Sequence, residues 1–305
     1  LVMVLSLFLF CFAGPLVYTQ WGETELDKSG KTSYATSEVT YEVDGVTYVI
    51  QQTTETKLAD NFLSPPSARH PLGTDDQGYD VLARLMYGGR VSLLVSFMTV
   101  FLLTLFGVLL GGIAGYFGGV VDNVIMRICD VLMCLPGIPI LLIISSAFDG
   151  WVSLGRVEED WRIYVLMMFL TFISWPGTAR LVRGQILSLR EQEYMVAAEA
   201  MGYSTGRKIF KHLVPNVMPQ LIVQMSLSLG SMILYEASLS YLNMGIKAPY
   251  TAWGSMINII TTNPEILQNH LYVWVPAGVC IVIAVLGFNF VGDGLRDALD
   301  PKARR

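Results

Sequence analysis

Long runs without a charged side chain constrain this sequence more than any other feature. A helix needs about 20 apolar residues to cross a bilayer, whereas buried strands are usually about 4–8 residues long. The six charge-free runs are 1–18, 91–121, 131–148, 163–179, 213–235 and 266–292. We therefore predict an all-α polytopic membrane protein with about six transmembrane helices.

Composition and charge support that class and exclude others. Hydrophobic residues make up 53% of the chain and charged residues 15%, against roughly 25% charged in an average soluble domain. A net charge of −5 argues against a basic nucleic-acid-binding protein. The four cysteines lack a CxxC spacing, so we expect packing residues, with neither a disulfide nor a metal site. They are Cys11, Cys129, Cys134 and Cys280.

The distribution of Lys and Arg predicts the orientation of the spans. The segment between residues 180 and 211 holds six basic residues, and basic loops usually face the cytoplasm. We therefore expect this loop and both termini on the cytoplasmic side of a prokaryotic plasma membrane. We interpret residues 1–18 as the remainder of a first transmembrane helix, with a signal anchor as the alternative.

The long segment after the first run is predicted to lie outside the cell. Residues 18–90 carry the whole net charge of −5, from 11 acidic and 6 basic residues. Alternating residues around Asp44-Gly45 predict a β-hairpin over residues 40–50, within an extracytoplasmic insertion spanning 19–69. Residues 70–90 form an interfacial segment that leads into a five-helix core, 91–292, and a tail, 293–305.

Glycines and prolines inside the runs predict close packing and helix breaks. Gly107, Gly111, Gly115 and Gly119 recur every four residues, which places them on one face where a second helix can approach. We consider three further residues as candidates for the pathway or its gate; simple packing roles remain the alternative. They are Pro136, Trp175 and Glu236.

The segment 183–215 carries the strongest functional signal. Ala, Met and Glu from Glu193 to Met201 favour a helix, and Gly202 suits its C-terminal end. A second short helix is expected from Arg207 to His212, ending at Val214-Pro215. Tyr194, Ala198 and Met201 would share one face of the first helix, giving a protruding elbow able to enter a groove on another protein.

This elbow resembles the EAA loop of ABC importer permeases. The resemblance rests on Ala197-Ala198, on Gly202 and on Val214-Pro215; the family's Glu position is occupied here by Val196. Five other stretches resemble the C-type permease of oligopeptide and dipeptide importers. They are His70–Asp75, Gly115–Gly119, Glu236–Ser240, Trp253–Met256 and Gly292–Pro301.

The resemblance implies a type I ABC importer permease with a division of labour. A homologous second permease, two cytoplasmic ATPases and an extracytoplasmic peptide-binding protein would be its partners. Coupling to the ATPases is expected through the elbow residues. These are Tyr194, Val196, Ala197, Ala198, Met201, Gly202, Arg207 and Pro215.

Because no G-x-x-x-x-G-K-[ST] motif occurs in the sequence, ATP and Mg²⁺ are expected on the partners, with no cofactor and no catalytic residue in this chain. The alternatives are the same family acting on nickel chelates, glutathione or oligosaccharides, a gradient-driven secondary transporter, and an intramembrane enzyme. The three histidines lie in unlike regions, which argues against the enzyme.

Overall fold

Ten helices and one pair of strands organise the part of the chain that the structure describes. The computed structural model describes residues 1–26, 32–43, 46–57, 62–247 and 250–299. The helices are α1 (Val2–Val17), α2 (Val81–Phe117), α3 (Gly119–Cys134), α4 (Gly137–Ser153), α5 (Arg162–Arg190), α6 (Glu193–Ala200), α7 (Thr205–Tyr241), α8 (Trp253–Thr262), α9 (Pro264–Asn269) and α10 (Leu271–Leu299). The strands are β1 (Thr32–Val43) and β2 (Val46–Lys57).

Four of these helices, α2, α5, α7 and α10, are long and apolar enough to cross a membrane. The pair α3 and α4 adds a fifth span if the two are counted together, although they meet at an angle of 78°. Helix α1 is shorter, at 16 residues, with one π-helical stretch at Leu9–Ala13. The helical membrane class is therefore confirmed within the described residues, while the count of six crossings stays a prediction.

Helix α2 begins at the interfacial segment rather than at residue 91. The Asp80 carboxylate caps it by accepting a hydrogen bond from the Ala83 N–H at 2.7 Å. The other carboxylate oxygen lies 2.9 Å from Nδ1 of His70 and accepts from the Tyr18 hydroxyl at 3.1 Å. Asp80 therefore joins the end of α1, the His70–Asp75 stretch and α2 at one buried point.

Helices α2 and α5 approach each other through three of the four predicted glycines, whereas Gly119 lies beyond the end of α2 with nothing within 4 Å of an added Cβ. A Cβ added to Gly111 would lie 2.9 Å from Cα of Ala179, and one added to Gly107 would clash with Thr178. A Cβ added to Gly115 would lie 3.0 Å from Cβ of Ile186. The absence of side chains on this face lets the two helix backbones touch.

The third charge-free run is not one straight helix. Pro136 is the N-terminal cap of α4, and Leu135 before it is extended with a ψ of 131°. Proline disfavours helical geometry in the preceding residue, so the run breaks there into the end of α3 and most of α4. At Val214-Pro215 the chain stays helical, but the π-helical stretch Lys208–Leu213 ends there and the α-helical part of α7 begins, with Pro215 in its first turn. The predicted boundary is therefore a change of helix type within α7.

The strands β1 and β2 pair antiparallel, with Val43 opposite Val46 and Thr32 opposite Lys57. They extend well beyond the predicted 40–50 hairpin on both sides. The Asp44-Gly45 turn lies outside the described residues.

We expect Gly111→Ala to lower the free energy of unfolding by about 1–3 kcal/mol, because the new methyl group overpacks the α2–α5 contact. Thermal unfolding of the purified protein in detergent measures the effect. Gly184→Ala on α5 is the matched control, since nothing lies within 4 Å of a Cβ there. Equal stability of the two variants would contradict the close contact.

Candidate coupling loop and membrane groove

The elbow is built from α6 and the first turns of α7, joined by a tight reversal at Gly202. Gly202 has a φ of +72°, a conformation that glycine adopts at far lower cost than other residues. Its N–H donates to the Glu199 carbonyl at 2.9 Å, and the Tyr203 N–H donates to that of Ala198 at 3.1 Å. The predicted helix end at Gly202 is therefore present, with the carbonyls of α6 satisfied.

The exposed side of α6 differs from the predicted one. Ala198 and Met195 are buried, with 1% and 4% of their surface exposed. Tyr194, Val196 and Met201 are exposed. Ala198 therefore does not share an outer face with Tyr194 and Met201, because α6 is rotated so that Ala198 packs inward. Val196, Ala197 and Gly202 are available to a partner.

Cationic side chains hold the elbow against the end of α2. The Lys208 amine lies 5.6 Å from the centre of the Tyr116 ring and 3.8 Å from the Glu199 carboxylate. The Arg190 guanidinium donates to the Tyr116 carbonyl at 3.0 Å. Arg207 lies over the Tyr203 ring at 4.2 Å. The elbow is thereby linked to a membrane-spanning helix as well as to its own ends.

Two ion pairs tie α3 to α5 near the same end of the bundle. Arg183 donates to both oxygens of Asp122, at 2.5 Å each, in the bidentate geometry that arginine favours. Arg180 lies 2.5 Å from Asp130, nearer than Arg127 at 3.9 Å. Arg127 lies three residues before Asp130 on the same helix, yet its contact is the longer of these two, so Asp130 binds mainly across to α5.

The three residues predicted for the pathway or gate occupy different surroundings. Pro136 is exposed at the α3–α4 break. Trp175 is 7% exposed and belongs to the main apolar core. Glu236 is fully buried in α7. The structure does not bring these three side chains together at one open surface.

Glu236 lies where α7 packs on α8. One carboxylate oxygen accepts from the Ser240 hydroxyl at 2.7 Å, and the other has no hydrogen-bond partner among the described residues. Gly254 of α8 packs against Ala237 and Ser240 so closely that a Cβ would clash. The main-chain N–H of Trp253 donates to Ser92 of α2 at 3.2 Å. Glu236 is thus placed among helix contacts.

A groove that the sequence reasoning missed is lined in part by Tyr235, the residue before buried Glu236. It lies between α5 and α7.

 The volume of the groove itself is about 360 Å³. Leu103 of α2 forms its floor. Its polar lining comes from both walls: Ser174 and Thr178 of α5, and Gln224, Ser228, Ser231 and Tyr235 of α7.

A sequence signal for this groove exists. Polar residues in the fifth charge-free run recur every three or four residues, which marks one face of a helix. They are Asn216, Gln220, Gln224, Ser228, Ser231 and Tyr235. The positions of charged residues alone do not reveal such a neutral face.

A second, more polar cavity of about 300 Å³ lies near the start of α2 and α8. Arg84 lies 2.5 Å from Asp75 in its wall and donates to the Thr251 hydroxyl at 2.8 Å. Glu23 accepts from the Thr251 N–H at 2.8 Å. Burial raises the pKa of the Glu23 carboxyl. It likewise raises the pKa of Asp76, which lines the cavity.

Residues 107–305 match the protein family described as the binding-protein-dependent transport system inner membrane component. The chain belongs to this family. The match includes α5, the elbow, α7, α8 and α10, so the two walls of the groove and the reversal at Gly202 lie within the family region. The protein is an inner-membrane permease subunit.

Relatives with curated names agree with this assignment. The chain is 41% identical to the dipeptide transport system permease protein DppC of Bacillus subtilis over 79% of this chain and 71% of that one. It is 38% identical to the oligopeptide transport system permease protein OppC of the same organism, over 80% and 76%. It is 35% identical to the glutathione transport system permease protein GsiD of Pectobacterium atrosepticum, over 80% and 77%.

A solved structure supports the fold. A chain of the MetNI methionine ABC transporter, in an inward-facing conformation, aligns with a TM-score of 0.53 and 20% identity. The alignment covers 71% of this chain and 96% of that chain. The predicted type I importer permease fold is therefore confirmed.

We expect Glu236→Leu to lower the free energy of unfolding of the permease by about 1–3 kcal/mol, because the buried Ser240 hydroxyl loses its acceptor. Glu236→Gln keeps an acceptor oxygen of similar shape and should stay close to the unmodified protein. Thermal unfolding in detergent measures both. Ser238→Ala, at an exposed position on the same helix, is the control. If the Leu variant is as stable as the Gln variant, the hydrogen bond between Glu236 and Ser240 does not stabilise the buried part of α7.

Proposed function

We propose that this permease forms half of the translocation pathway of an ATP-driven importer for dipeptides or oligopeptides. The observation that carries the proposal is the identity of 41% with a dipeptide permease and 38% with an oligopeptide permease, each over most of both chains. A homologous second permease subunit would supply the other half. An extracytoplasmic peptide-binding protein would deliver the substrate.

Two cytoplasmic ATPase subunits, which bind ATP and Mg²⁺, would dock on the two permeases, one on each elbow. The exposed surface of α6 supports this role, since it offers Val196, Ala197 and Met201 beside the glycine reversal. Small and apolar side chains allow a helix to enter a groove on a partner. In this arrangement the chain itself is non-catalytic and carries no cofactor.

The contacts behind the elbow provide a physical route for coupling. Lys208 connects the elbow to Tyr116 at the end of α2, Arg190 at the end of α5 binds the Tyr116 carbonyl, and Arg183 connects α5 to Asp122 of α3. A displacement of the elbow by the ATPases would therefore act on three membrane helices. The cluster of basic residues in this region supports a cytoplasmic location for the elbow and for both termini.

A second candidate substrate is glutathione, which the 35% identity with a glutathione permease favours. Uptake by the reconstituted complex distinguishes the two. The decisive experiment co-purifies the permease with its partners and measures ATP hydrolysis with binding protein that is empty, peptide-loaded or glutathione-loaded. If only the glutathione-loaded binding protein stimulates ATP hydrolysis, glutathione replaces peptides as the proposed substrate.

We expect Ala197→Arg to reduce co-purification of the ATPases about tenfold, because a long charged side chain would enter a docking surface sized for a methyl group. Peptide uptake should fall in parallel, while the amount of permease in the membrane stays unchanged. Pull-down from detergent-solubilised membranes measures the loss.

Ala298→Arg is the matched control, since Ala298 is also exposed but lies near the end of α10. Gly202→Glu gives a second test, in which backbone strain at positive φ adds to the charge. Normal ATPase binding and uptake by Ala197→Arg would contradict docking on α6.

A further inference from the structure

One face of α7 is polar along the length of the membrane span. The face consists of Asn216, Gln220, Gln224, Ser228, Ser231 and Tyr235, which we call the α7 polar face. At a rise of about 1.5 Å per residue it extends for about 28 Å, close to the hydrocarbon thickness of a bilayer, about 30 Å. It therefore offers polar contacts at every depth.

This face is accessible in the structure instead of being covered by other helices of the chain. Asn216, Gln220 and Ser231 are exposed, and Gln224, Ser228 and Tyr235 are partly exposed. Amide and hydroxyl groups at membrane depth need protein or water around them, because lipid offers no hydrogen bonds. Met218 and Ile222, exposed on the opposite side of α7, provide the surface that suits lipid.

The surroundings of the α7 polar face are concave. The groove of about 360 Å³ against α5 adjoins Gln224, Ser228, Ser231 and Tyr235. A second hollow of about 510 Å³ against α10 adjoins Asn216, Gln220 and Gln224, and its far side carries the charged Arg296 of α10. Gln224 borders both, so the two hollows follow one another along the same helix.

The α7 polar face carries no charged side chain. Glu236 follows Tyr235 directly but is fully buried on another side of the helix. Asn, Gln, Ser and Tyr side chains can donate and accept hydrogen bonds. Such a lining matches groups that both donate and accept without net charge, and the amides of a peptide main chain have that chemistry.

We propose that the α7 polar face is this subunit's wall of the translocation pathway, and that it contacts the main-chain amides of the passing peptide. This inference rests on the proposed peptide import. A neutral wall does not discriminate between peptides of opposite charge, since it neither attracts nor repels their side chains. Charge selectivity, where it occurs in the importer, then arises at another element.

The first test asks whether water reaches the α7 polar face, and it does not depend on the substrate. Ser231→Cys and Ile222→Cys are compared in a Cys134→Ser background, because Cys134 is the exposed native thiol whereas Cys11, Cys129 and Cys280 are buried. The complete complex in nanodiscs is treated with a charged, water-soluble methanethiosulfonate. We expect at least about tenfold faster labelling at position 231.

Equal or slower labelling at position 231 would overturn the proposal, because lipid or a partner helix would then cover the face. This outcome is independent of whether the importer carries peptides. If tripeptides slow the labelling at position 231 but not that of the exposed Ser153→Cys, the result supports occupancy of the groove by peptide.

The second test introduces charge into the wall. Ser231→Asp and Ser231→Lys are assayed for uptake of cationic and anionic peptides of equal length. We expect the ratio of cationic to anionic uptake to differ about tenfold between the two variants, since charges at close range in a low-dielectric groove interact strongly. Ser153→Asp and Ser153→Lys, outside the groove, should leave the ratio unchanged.

If the unmodified importer carries peptides and both Ser231 variants change cationic and anionic uptake by the same factor, the wall assignment is wrong while the proposed function stands. If the unmodified importer carries no peptide but Ser231→Cys reacts rapidly, the wall stands as an aqueous surface and the contact with peptide amides is overturned.

Discussion

The backbone contact between α2 and α5 is the interaction on which the other parts of this permease depend. Glycines at 107, 111 and 115 remove the side chains that would hold the two helices apart. Because α5 continues beyond the contact to Arg190, its position also determines where the elbow begins. The same helix carries Arg183, which binds Asp122 of α3, so three helices are fixed from one line of contact.

The polar residues within the membrane region divide into two groups with different surroundings. Glu236 and Ser240 are buried on α7 and share a hydrogen bond, and buried Ser92 of α2 accepts a hydrogen bond from the Trp253 N–H of α8. Such groups are costly in an apolar interior unless they are hydrogen-bonded. The α7 polar face lies on the open side of the same helix. One helix therefore joins the packed core on one side and a groove on the other.

The charge-free runs were a sufficient guide to the class of protein and to most of its long helices, because run length alone separates membrane helices from buried strands. They did not predict where a helix is interrupted and where it continues. Pro136 interrupts a run that contains no charge, whereas at Val214-Pro215 α7 changes from π-helical to α-helical and continues. Proline is tolerated in the first turn of a helix and disruptive inside it, and the sequence does not show where the turn begins.

The membrane class, the family region and the glycine reversal at Gly202 could be predicted from the amino-acid sequence, because they depend on local composition, spacing and backbone conformation. Tertiary structure decided which side of each helix faces which surroundings. Ala198 turned inward while Val196 stayed exposed, and Glu236 was buried while Tyr235 reached the groove. The physical reason is that periodicity identifies the residues that share a helix face, but the rotation of that face is set by packing against helices distant in the chain.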